Sequence, residues 1–128
     1  MNTLILWLES DDTWSPEGWA LSHGGKPTEM GQVTIENPSG WFSVMRDDCL
    51  IEDYGDAERD VLSSLLMHPI SFLLEWRGSE LLQLFIKEIP SDSGAILDND
   101  HGLIVLAQHV KALPIDSWAR VAQIHHVL

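Results

Sequence analysis

Thr3-Leu4-Ile5-Leu6-Trp7-Leu8 opens the chain as an unbroken apolar run of strand length, closed by Glu9-Ser10-Asp11-Asp12. A short apolar run with a β-branched member reads as a buried strand. The polarity then becomes irregular. Trp14-Ser15-Pro16-Glu17-Gly18-Trp19-Ala20-Leu21 and His23-Gly24-Gly25-Lys26-Pro27 carry Gly and Pro at a density that predicts turns. Gln32 to Glu36 alternates polar and apolar residues (Val33, Ile35), the period of a half-buried strand. Asn37-Pro38-Ser39-Gly40 makes a turn and Trp41 to Met45 the next strand, a hairpin with a four-residue loop. Leu50-Ile51 is expected to add a short strand.

The period changes at Asp56. Val61, Leu62, Leu65 and Leu66 share one helical face, with Asp56 placed as the N-cap and Pro69 as the stop. Ile70-Ser71-Phe72-Leu73-Leu74-Glu75-Trp76 predicts a central strand. Ser79 is placed to cap a second helix whose stripe is Leu81, Leu82, Phe85, Ile86 and Ile89, ended by Pro90. Ala95-Ile96-Leu97 and Leu103-Ile104-Val105-Leu106 read as strands around Asp98-Asn99-Asp100-His101-Gly102. Gln108–Leu113 and Asp116–Ala122 predict short helical pieces split by Pro114, with Asp116 as a cap.

Helices alternating with apolar strands in the second half place the chain in the α/β or α+β class. The expected architecture is one domain over residues 1–128, with a single mixed or largely antiparallel sheet. Two main helices and the short C-terminal pieces cover it. Trp7, Trp41 and Trp76 are expected in the core, and Trp14 and Trp19 in the core or in loop packing.

Charge changes the picture most. Twenty Asp/Glu face seven Lys/Arg, a formal charge of −13. Residues 1–60 hold thirteen acidic residues against Lys26, Arg46 and Arg59, and residues 61–128 hold seven against four. Such a chain repels a phosphate backbone, so nucleic acid is not an expected partner. An acidic face instead accelerates encounter with basic proteins. The opening run lacks a basic flank and stops at Glu9, and no stretch approaches the roughly 20 apolar residues of a membrane span. One cysteine, Cys49, precludes an internal disulfide. A soluble cytoplasmic protein with no membrane contact is expected.

Within the acidic half, Arg46–Asp60 stands out. Asp47, Asp48, Glu52, Asp53, Asp56, Glu58 and Asp60 surround Leu50, Ile51 and Tyr54. Carboxylates around an aromatic and aliphatic anchor are what an interface for a basic partner needs: apolar groups supply desolvated contact, charges set register. The expected partner-binding residues are Asp47, Asp48, Glu52, Asp53, Tyr54 and Asp56, joined by Glu9, Asp11 and Asp12. The competing reading is a solvated face, with Asp56 and Glu58 simply favouring a helix dipole.

No catalytic or metal-ligating pattern competes with this. Asp98-Asn99-Asp100-His101-Gly102 begins like a calcium loop, but Gly102 falls on the fifth position and His109 on the twelfth, where the loop needs Asp or Asn and Glu. The same residue types suit a tight turn. His23, His68, His101, His109, His125 and His126 lack the spacing of a zinc site. Cys49 lies among carboxylates, which raise a thiol pKa and suppress nucleophilicity. No cofactor, metal or catalytic residue is expected.

The segment from Leu74-Glu75-Trp76-Arg77-Gly78 through Asp98-Asn99-Asp100-His101-Gly102-Leu103-Ile104, in a small acidic α/β chain, resembles bacterial toxin-immunity proteins. These are inhibitors encoded beside contact-dependent or other polymorphic toxins. The resemblance implies one-to-one binding that blocks a toxin's active site or substrate groove, often on a basic nuclease, by a protein that is not itself an enzyme. Immunity families share no common motif, so no functional residue is carried over. Two other expectations stand beside it: a structural or adaptor subunit of a larger complex, and an enzyme built on Asp98, Asp100 and His101.

Overall fold

Pro69 to Arg77 form strand β5, the middle member of a seven-stranded sheet. The computed structural model describes residues 2–120. Among them the elements are β1 (Asn2–Glu9), α1 (Pro16–Ser22), β2 (Lys26–Pro27), β3 (Val33–Asn37), β4 (Gly40–Arg46), α2 (Asp56–Leu65), β5, α3 (Glu80–Lys87), β6 (Ile96–Asp98) and β7 (Ile104–Leu106). Single 3-10 turns occupy Leu50–Asp53, Ala107–His109 and Ile115–Ser117. The sheet order is β2-β3-β4-β5-β1-β6-β7, and every neighbouring pair is antiparallel. The fold is α+β.

Alternation along β1 divides the core in two. Leu4, Leu6 and Leu8 join Phe72, Leu74 and Trp76 of β5, Phe42 and Val44 of β4, Trp19 and Ala20 of α1, and Leu82, Phe85 and Ile86 of α3. Ile5 and Trp7 join Tyr54, Leu62, Leu66, Ile96 and Ile104. Period-two side chains make this division obligatory for a strand in the middle of a sheet. Helices α1 and α3 therefore pack on one face, and the 3-10 turn at 50–53 with α2 packs on part of the other.

Several local expectations need correction. The Gly/Pro-rich stretch contains α1: Ser15 caps it, its hydroxyl accepting from Gly18 N–H at 3.0 Å, and Pro16 occupies the first turn, where a missing N–H costs nothing. Among the described residues three helices, not two, flank the sheet. Leu50-Ile51 forms a 3-10 turn in place of a strand. Gly55, not Asp56, is the N-cap of α2, and Glu58 reaches back to its N–H at 3.1 Å. Asn37 pairs with Gly40, so the hairpin loop is Pro38-Ser39 alone. A Cβ on Gly40 would stand 1.8 Å from the Arg77 carbonyl oxygen, which explains the glycine. The C-terminal pieces are 3-10 turns; Val121-Ala122, His125 and His126 lie outside the described residues. Trp41 belongs to neither apolar cluster and is only half-buried.

Candidate functional site

Sheet register brings together acidic stretches far apart in sequence. Glu9, the last residue of β1, faces Pro69, the first of β5, while Arg46, the last of β4, faces Phe72. The loops after β1 and β4 and before β5 thus meet at one end of the sheet. Ser10 N–H donates to the His68 carbonyl at 2.9 Å, and Asp47 N–H to the Ser71 carbonyl at 3.1 Å. The 9–12 and 47–48 stretches thus leave the sheet at the same end, Asp12 turning to Trp14 and Ser93 on the α3 side and the 50–53 turn to the opposite face. Glu52 and Asp53 follow on the turn leading away, and Asp56 sits at the far start of α2, towards Asp98.

These carboxylates do different things. Glu9 accepts the Met67 and His68 N–H groups, the latter at 2.8 Å, and those donors hold its carboxyl below the usual glutamate range. Asp12 accepts from Trp14 N–H and the Ser93 hydroxyl, both at 2.9 Å. Asp47 accepts from Cys49 N–H at 3.0 Å, and Asp48 pairs with the Arg46 guanidinium at 2.8 Å. Glu9 and Asp12 are thus builders of the loops. The carboxylates of Asp11, Glu52, Asp53, Asp56 and Asp60 are exposed and have no hydrogen-bonding or ion-pair partner among the described residues. Arg59, the other cation of the segment, donates to the Tyr54 and Ile51 carbonyls, both at 3.0 Å, and neutralises no carboxylate.

Tyr54 does not stand in the surface as an anchor. It is 8% exposed, with its ring 5.3 Å from that of Trp7. Its hydroxyl donates to Asp98 and accepts from Trp7 Nε1–H at 2.8 Å. An apolar pocket flanks this ring, and a buried tyrosine hydroxyl needs partners. Burial is the main cause pushing the Asp98 carboxyl up, and burial beside Asp98 pushes the Tyr54 phenol above the ordinary tyrosine range. The acidic segment is therefore fastened to the sheet through a partner 44 residues away.

The turn after β6 is built as a turn. Asp98 accepts from Asp100 N–H at 2.8 Å; Asn99 accepts from His101 N–H at 2.8 Å and Leu103 N–H at 3.1 Å. Asp100, at φ 61°, takes the left-handed conformation that Asp and Asn tolerate. Asp98 is turned inward to Tyr54, while His101 is exposed. Two clefts of about 380 and 390 Å3 lie elsewhere, at Lys26, Thr34 and Glu36 and at Asn37, Trp41 and Arg77. Among the described residues, no group of three His, Cys, Asp or Glu side chains is placed to hold a metal ion. No helix there is long and apolar enough to cross a membrane.

One residue escaped the sequence reading. Met67 is 83% exposed at the acidic end, its backbone pinned by Glu9. An exposed methionine next to a helix end carries no sequence signal of its own; the Glu9 contact spans 58 residues. No family model, curated protein or solved structure matches this chain.

Proposed function

We propose that this chain is an acidic binding protein that neutralises a basic protein by one-to-one association. The best fit is an immunity protein that inhibits a cognate toxin domain in the cytosol, with no catalysis of its own. The observation that carries the reading is the meeting of the 9–12 and 46–53 stretches at one end of the sheet, with most of their exposed carboxylates unpaired.

Physical chemistry supports the assignment of roles. Unpaired carboxylates raise the association rate with a cationic surface, up to about 10^8–10^9 M⁻¹s⁻¹ at low salt. Asp11, Asp47, Asp48, Glu52 and Asp53 make the contact, with Asp56 at its margin. Met67 provides a flexible apolar contact in the position first expected of Tyr54. Glu9, Asp12 and Tyr54 hold the loops in place.

Gene context and calorimetry test this together. The product encoded beside this gene should be basic and should form a 1:1 complex. Replacing Asp47, Asp48, Glu52 and Asp53 by Asn and Gln should weaken it by at least about 100-fold, since rim pairs give little but fully desolvated ones a few kcal/mol each. Unchanged affinity in that variant refutes the residue assignment, and a neighbour that neither binds nor is basic refutes the function.

A further inference from the structure

Among the described residues, the face of the sheet that carries α2 is only partly covered. Ile5, Trp7, Ile96 and Ile104, on β1, β6 and β7, lie under the 50–53 turn and α2. Among the described residues, no helix joins an apolar cluster over the same face of β3, β4 and β5. Register places Thr34 beside Ser43 and Glu75, Trp41 beside Arg77, and Met45 beside Leu73 on that open half. Trp41, Met45 and Leu73 are half-buried and join neither apolar cluster. Ser43, on the same face, is buried, and its hydroxyl accepts from the Gln32 side chain at 2.9 Å.

We propose that this half-face supplies the apolar contacts of the docking surface, and that its occupant is the basic partner, a protein segment whose apolar centre is joined at one end to a cluster of Lys or Arg. The proposal rests on the reading of the chain as an acidic binder. Charge complementarity selects the occupant. The Met45–Leu73 end of the face runs directly into Asp47, whose N–H is bonded to Ser71 of β5, and Asp48 follows. Glu75 and Glu36 add carboxylates on and beside the face, and Arg77 stands at the opposite end, beside Trp41. A segment laid over the face therefore meets negative charge at one end and positive at the other, which sets its direction. A second copy of the chain is the poorer occupant, because two chains of charge −13 would bring like carboxylates together. Trp41 is the aromatic contact that such interfaces concentrate their energy on.

Two synthetic peptides test this, one with a lysine cluster joined to a Leu-Trp-Leu centre, the other with serines in place of that centre. Each is titrated into the isotopically labelled chain. The expected result is binding about tenfold tighter for the apolar peptide, a difference typical of one or two apolar contacts. Shifts should appear at the Trp41 indole and the Met45 and Leu73 methyls. W41Q and M45Q should each reduce the advantage while retaining the parent melting curve. Equal affinities, with shifts confined to 47–60, overturn this proposal and leave the acidic binder standing. Failure of both peptides to bind at low salt overturns both readings. A chain that sediments as a dimer through this face also overturns the proposal.

Discussion

Replacing Tyr54 by Phe isolates the clamp that fastens the acidic segment to the sheet. The substitution keeps the ring packed against Trp7 and deletes one oxygen. Two buried groups lose their partner: the Trp7 indole N–H loses its acceptor and the Asp98 carboxylate loses its hydroxyl donor. Each unsatisfied buried group costs about 1–3 kcal/mol. Asp98 keeps its bond from Asp100 N–H, which places the expected loss at about 2–4 kcal/mol at neutral pH. That is a large share of the roughly 5–15 kcal/mol that holds a domain together. Urea unfolding followed by tryptophan fluorescence measures it as a lower midpoint at unchanged slope.

The pH dependence makes the test specific. The folded-state Asp98 carboxyl lies above its ordinary value, chiefly through burial, and the Tyr54 bond pulls it partly back down. A raised folded value means the protonated form is favoured in the native state. Its contribution is therefore full below the unfolded value and lost as pH rises through the folded one. In Y54F the carboxyl rises further, and at acid pH its protonated form no longer misses the lost donor. The penalty of Y54F should therefore be smaller near pH 4 than near pH 8, by about 1 kcal/mol or more. It should also shrink in a D98N background, which gives a coupling energy for the pair. A Y54F penalty below about 0.5 kcal/mol and equal at both pH values would falsify the clamp.

Three further predictions are independent of one another. Tyr54 is the single tyrosine, so tyrosinate absorbance reports on it alone. Because its folded value is raised, stability is retained below the ordinary 10.0 and lost above it; the signal should appear only together with unfolding, and ionisation of the native protein near 10 contradicts this. Glu9→Ala should accelerate amide exchange at Met67 and His68 with little effect on β5, and in the parent the same protection should fade as pH falls through the lowered Glu9 value. Protection of both amides in the variant argues against Glu9 as the pin. Gly40→Ala should cost at least about 1–3 kcal/mol, as overpacking does, because the new methyl meets the Arg77 carbonyl; a neutral thermal melt means that end of β4 lies elsewhere.

What the sequence displays is whatever depends on neighbours in the chain. β1, β5 and α3 announce themselves through an apolar run or a stripe with a stop, and their buried residues are the expected ones. α1 was concealed because Pro16 and Gly18 look like turn residues, although Ser15-Pro16 is also the start of a helix. Leu50-Ile51 is too short for its period to be read. The site is less legible than the fold. A tyrosine among carboxylates looks exposed until β6 supplies Asp98, and Glu9 looks like a surface charge until the loop before β5 supplies two N–H groups. Trp41 looks like core because an open half-face cannot be recognised without the strand order. The acidic stretches at 9–12 and 46–53 are visible separately, but only the register of β1, β4 and β5 joins them.

The central claim is that the joined acidic end recognises a basic protein. Titration calorimetry of this chain against the protein encoded beside its gene, at about 50 and 300 mM salt, tests it most directly; the Debye length falls from about 14 to 6 Å across that range. The account predicts a 1:1 complex that weakens at least about tenfold in the higher salt, as electrostatic association does, and that weakens again when Asp47 and Asp48 become Asn. A complex indifferent to both salt and these substitutions, or no complex with a basic neighbour, contradicts it.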